Sequence, residues 1–131
     1  MLLRKLRQDM AFGGVAMFIC HYTEVPAEKI EGISGVTVRW LIGKKEGAPN
    51  FSFRIFEMEP GAVIPLHNHD WEHEVFVLAG QGTVKVADEE ALVKEGDFIF
   101  IPPGVEHQFI NGGDEVFRFI CIIPLKGDTR P

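Results

Sequence analysis

The sequence predicts an all-β domain, a sandwich or a barrel. Three observations lead there. Runs of four to nine β-rich residues recur along the chain, each closed by a Gly, Pro or Asp cluster. Eleven Phe, with many Val and Ile, favour strands over helices. Several runs, "FIFIP" and "RFICIIP" among them, are apolar on both faces, which a single sheet with one wet side does not need. The excess fits a barrel whose inner face encloses a pocket. Its outer face would then pack on an N-terminal sheet or a second subunit. At 131 residues the chain is long enough for one domain with a real core.

The elements follow in order. "MLLRKLRQDMAFGGVAMFIC" puts basic residues ahead of an apolar run, as a secretory signal does, but glycines break the run and no small-x-small site closes it. Residues 1–20 are therefore expected as an N-terminal appendage, helical in look only over 2–10, with Met17 as an alternative start. The barrel is expected over 21–125. "VTVRWLIG" (36–43) alternates as a half-buried strand does, and "KKEGAPN" is a loop. "FSFRIFEME" (51–59) is the next strand, and "PGAVIP" (60–65) turns the chain. "HEVFVLAG" (73–80) and "GTVKVA" (82–87) read as a hairpin joined at "GQG", with "DEEA" as a further turn. Segments 92–102, 106–112 and 115–124 complete the strands, and 126–131 is expected as a C-terminal tail.

Charge and cysteine usage narrow the partners. The net charge is −6 and the one basic cluster is "RKLR", which argues against nucleic acid. No stretch approaches the ~18 apolar residues of a membrane-spanning helix. Cys20 and Cys121 do not make a disulfide framework, so the expected compartment is the reducing cytoplasm. The sequence holds no Ser/His/Asp arrangement, phosphate loop or haem motif.

The chemistry concentrates in "HNHDWEHEVFVLAG" (67–80). His residues at i and i+2 of a strand point to the same side, so His67 and His69 converge. A third ligand from the next strand, either His73 or Glu74, and a fourth from a distant one would complete a half-cage around one ion. His107, in "GDFIFIPPGVEHQFIN", is the distant candidate. His21 is read as structural or exposed, and Glu57, Glu59 and Glu74 as surface or interface charges.

Residues 61–80 and 96–111 resemble the two motifs of the cupin superfamily. Gly61, His67, His69 and Gly80 fall at the anchors of the first, and Gly96, Pro102, Gly104, His107 and Asn111 at those of the second. The resemblance implies a double-stranded β-helix, or jelly-roll, barrel. At the position where the family has Glu, counting back from Gly80 lands on His73 rather than Glu74. Strand parity agrees, since an inward His73 sends Glu74 outward with Phe76 and Leu78. The chain thus resembles the small single-domain four-histidine cupins, manganese-binding members among them. "APNF", "EPG", "WEHE" and the C-terminal "IP" extend the likeness.

Four neutral imidazoles would leave a divalent ion its full +2 charge and, on an octahedral ion, two open positions. Imidazole suits Zn, Cu, Fe and Ni alike, so manganese rests on the resemblance alone. The pocket is expected to be apolar, with Ile64, Phe109, Phe119 and Cys121 as its wall; Arg54 either turns inward as an anion anchor, the favoured orientation, or pairs outward on an interface. The leading expectation for function is a dioxygenase-type oxygenase acting on a small molecule with an anionic or enolic oxygen. A non-enzymatic binder and a redox-neutral isomerase or lyase are the alternatives. A homodimer is expected from the apolar outer face.

Overall fold

The computed structural model describes Met17 and residues 19–131. Most of the expected appendage, including the helical-looking 2–10, lies outside the described residues. The strands are β1 (Glu28–Lys29), β2 (Val36–Ile42), β3 (Phe51–Met58), β4 (Val63–His67) and β5 (His73–Ala79). They continue with β6 (Gln81–Val86), β7 (Glu89–Lys94), β8 (Phe98–Ile101), β9 (His107–Ile110) and β10 (Phe117–Pro124). Six of them form one sheet in the order β1-β2-β3-β10-β5-β8, and four form a second in the order β4-β9-β6-β7. Every pairing is antiparallel. The result is an all-β jelly-roll barrel of one domain.

The inner face follows the period of two. Ser52, Arg54, Phe56 and Met58 of β3 stand in register with Ile123, Cys121, Phe119 and Phe117 of β10. Trp40, Val38 and Val36 of β2 continue the same rows. Phe117, Met58 and Val77 are fully buried and fill the end of the barrel away from the histidines. Truncating Phe117 to Ala there would cost about 3–5 kcal/mol. The outer face is different in kind. Glu57 takes Arg39 at 2.9 Å and Arg118 at 2.8 Å, and both guanidiniums lie over the Tyr22 ring. Burial pushes the Glu57 carboxyl up, but the two arginines outweigh it and hold it below the usual range.

Three sequence expectations change. "GQG" is not a hairpin link: β5 and β6 lie in different sheets, and the chain crosses between them at Gly80. Gly80 has φ +75°, and a Cβ there would sit 2.2 Å from the Val116 carbonyl oxygen. A Cβ on Gly82 would sit 2.5 Å from the Phe117 ring, so both glycines are needed for the crossing. The turn over 60–65 is shorter than expected, because Gly61 (φ +84°) completes it and Val63 already pairs with Ile110 of β9. "DEEA" is mostly strand. The turn falls instead at Ala87, with φ +55°, and β7 begins at Glu89.

The C-terminal tail is built into the barrel. Asp128 accepts from the Lys44 backbone N–H at 2.9 Å and from the Ser52 hydroxyl at 3.1 Å. Arg130 reaches Asp128 at 2.8 Å and Glu46 at 2.9 Å, with its guanidinium over the Trp40 ring. Among the described residues no helix is long and apolar enough to cross a membrane.

Candidate metal centre

His67 ends β4 and lies opposite His107 at the start of β9, in the four-stranded sheet. His73 starts β5 in the facing sheet. His69 follows the end of β4, outside any strand, and its carbonyl accepts from the Gly104 N–H at 2.6 Å. Gly104 belongs to the "PPGVEH" turn, so this bond joins the two motif segments. The i, i+2 argument on a single strand therefore applies only in part. His69 reaches the same space by its loop.

The ring centroids of His67 and His107 are 4.2 Å apart, and those of His67 and His69 are 4.8 Å apart. The ligand nitrogens of His67, His69 and His107 all lie within 4.8 Å of one another, a spacing that could hold one ion. His73 falls outside this trio. Its ring centroid lies 4.7 Å from that of His107 and 5.3 Å from that of His69. Its Nδ1 is buried with no hydrogen-bond partner. Glu74 is exposed on the opposite face of β5, with Phe76.

The donor chemistry fits a divalent transition metal. His67 Nδ1 lies 2.6 Å from the Pro65 carbonyl oxygen, and His107 Nδ1 lies 2.9 Å from that of Val105. A carbonyl can only accept, so in the neutral ring Nδ1 carries the proton and Nε2 keeps a lone pair. Such tethers fix both tautomer and ring orientation. Burial, with the charges of His67, His107 and Arg54, lowers His69 to about 4. Burial, with His107 and Arg54, lowers His73 to about 3. Burial also lowers His107 against the raising effect of its Val105 bond. These three rings are neutral at pH 7 and free to donate.

All of the residues expected at the pocket border the same cavity of about 450 Å3: Arg54, Ile64, Phe109, Phe119 and Cys121, together with the four histidines. Arg54 faces inward, and its Nη2 donates to the Cys121 sulfur at 3.0 Å. Burial pushes the Cys121 thiol up despite Arg54, so it stays protonated and is a poor nucleophile. Asn111, the last motif anchor, is fully buried and lies outside the cavity. It donates to the Met58 and Glu115 carbonyls at 2.9 Å each, which ties the β9–β10 turn to β3.

Four further contributors were not identified from the sequence. Trp40 and Phe56 line the cavity from the six-stranded sheet, and Arg130 closes it from the C-terminus. Parity along β2 and β3 could have found the first two. No local pattern marks Arg130. The fourth, Trp71, stacks flat on His69, and Gly127 approaches the indole so closely that a Cβ would come within 2.8 Å.

Comparison with known proteins agrees with this architecture. The chain is 36% identical to the polyketide cyclase RemF of Streptomyces resistomycificus, covering 83% of this chain and 80% of that one, with a TM-score of 0.78. It is 28% identical over 111 residues to an oxalate-binding protein of Thermotoga maritima, 79% of this chain and 90% of that protein. The crystal structure of a protein from the same organism, titled a predicted oxalate decarboxylase, superposes with a TM-score of 0.73 at 26% identity, covering 82% of this chain and 99% of that one. Residues 54–123, more than half of the sequence, match the cupin domain family, and the chain belongs to it.

Proposed function

We propose that this cupin is a metal-dependent enzyme of the dioxygenase type, acting on a small organic molecule through an anionic or enolic oxygen. The proposed ligands are His67, His69, His73 and His107, the set of the manganese-binding small cupins that it resembles. One observation carries the reading: four imidazoles and an inward arginine border a single cavity. A divalent ion held by neutral donors keeps its full charge and supplies Lewis-acid polarisation and, where redox-active, electrons for dioxygen. The chain's own residues do the rest. The Pro65 and Val105 carbonyls orient two of the rings, and the Trp71 indole braces a third. Ile64, Phe109 and Phe119 keep water from the bound substrate, and Arg54 offers it a fixed positive charge.

Two other readings have specific support. The 36% identity to a polyketide cyclase favours redox-neutral chemistry at the same site. The likeness to an oxalate-binding protein favours capture of a small anion without turnover. Metal analysis of the purified protein, paired with oxygen uptake against a panel of enols and alkenes, separates the three. The oxygenase reading expects oxygen consumed in step with product. Product without oxygen uptake selects the second reading, and binding without product the third. We further propose a cytoplasmic homodimer, in keeping with two unpaired thiols and an apolar outer sheet face.

A further inference from the structure

Arg54 projects from β3 into the cavity among aromatic rings. Its guanidinium carbon lies 5.3 Å from the Trp40 ring centroid and 4.8 Å from that of Phe56. Its one hydrogen bond among the described residues goes to the Cys121 sulfur, a weak acceptor, and its Nε is buried without a partner. No carboxylate of the described residues stands within ion-pair distance of it. Arg130 provides the contrast. It lies 4.7 Å from the same indole, but Glu46 and Asp128 neutralise it. Of the two arginines on Trp40, Arg130 alone has its counter-charge supplied by the described residues. A half-buried guanidinium with unmet donors favours an anion beside it.

Beside Arg54 stand three nearly parallel phenyl rings. Phe56 and Phe119 have centroids 5.4 Å apart at 18°, and Phe119 and Phe109 have centroids 4.6 Å apart at 17°. The rings come from β3, β10 and β9, so the stack bridges both sheets. Phe56 lies under the guanidinium, and Phe109 is two residues from His107 on the same strand. One stacked row of rings therefore connects the arginine end of the cavity to the histidine end.

We infer that Arg54, Trp40 and this phenyl stack form an anion subsite separate from the histidine cluster, which takes the carboxylate of a planar aromatic acid. The carboxylate pairs with the guanidinium, the ring lies beside the phenyl stack, and the far end of the molecule reaches the histidines. Only that last step rests on the metal reading above. Binding at Arg54 needs no ion. A cavity of about 450 Å3 lies within the range of small-molecule sites.

The test is calorimetric titration of the full chain with benzoate, benzamide and cyclohexanecarboxylate, with and without prior metal removal by a chelator. Benzoate is expected to bind in both states, with benzamide and cyclohexanecarboxylate weaker. Arg54→Met should weaken benzoate by roughly tenfold or more, the scale of a charge-assisted hydrogen bond, with metal content unchanged. Benzoate binding that disappears on chelation would overturn the subsite, because the carboxylate would then sit on the metal. Equal affinity for benzoate and benzamide in the unaltered protein would also overturn it, whether or not the Arg54 variant folds. A protein that purifies without metal would defeat the enzymatic reading and leave the benzoate result standing.

Discussion

The indole of Trp71 lies flat against the imidazole of His69, with centroids 4.4 Å apart and planes 5° from parallel. His69 follows the end of β4, so no strand ladder holds it, and its side chain depends on this contact for orientation. Trp71→Ala should leave the barrel folded and weaken metal binding by about tenfold, the lower end of the loss seen when a ligand's outer partner is removed. Competition against a chromophoric chelator measures this. An unchanged affinity would show the indole to be idle.

A second prediction separates His73 from its neighbour. His73 is buried beside the other rings, whereas Glu74 is exposed on the far face of β5. His73→Ala should lower metal affinity by more than the ~10–100-fold typical of an outer-shell partner. Glu74→Ala should leave it within a factor of about two. Metal content by mass spectrometry after dialysis decides between them. A larger loss from Glu74→Ala would mean that the carboxylate is a ligand and that the site carries less positive charge.

How much of this was readable in advance depends on the range of each signal. Alternation along β10 put Phe119 and Cys121 on one face, because a period of two fixes sides once one residue is assigned, but the side taken by Arg54 stayed open until the register with Cys121 decided it. The family spacing located His107 although it lies far along the chain. The same local reading failed at Gly80, where a tight glycine link suits a hairpin and a crossing between sheets equally well. Only the Val116 carbonyl, supplied by a distant segment, distinguishes the two. Arg130 was missed for a like reason. Its role depends on Glu46 and Trp40, and no periodicity relates the end of the chain to either.

The outer face of the six-stranded sheet yields a prediction about assembly. Phe98 and Phe100 on the edge strand β8 are 82% and 57% exposed, and Phe76 beside them on β5 is 43% exposed. Such a row at a sheet edge suits isologous pairing with a second copy. Scattering at micromolar concentration should give twice the mass of one chain. Phe98→Glu should shift the particle to monomer with metal content unchanged. A monomeric wild type would leave these rings needing a different partner.

The final prediction concerns acid stability and the C-terminal latch. The Asp128 side chain is fully buried and accepts from Lys44, Ser52 and three donors of Arg130. Burial raises its carboxyl, but the Arg130 bonds and the backbone N–H of Lys44 outweigh this and hold it well below the usual range. The unfolded carboxyl titrates near its ordinary value of about 3.9. Between that value and the lower folded one, the unfolded chain binds more protons, so stability rises with pH across that interval. The contribution is complete above about pH 5 and declines as pH falls below about 4. Asp128→Asn removes the charge and leaves Arg130 underpaired, which should cost roughly 3 kcal/mol at pH 7. Thermal melts of both proteins from pH 3 to 7 should therefore show a gap that narrows toward the acid end. A gap of constant size would mean that Asp128 acts through hydrogen bonding alone, with its charge making no net contribution.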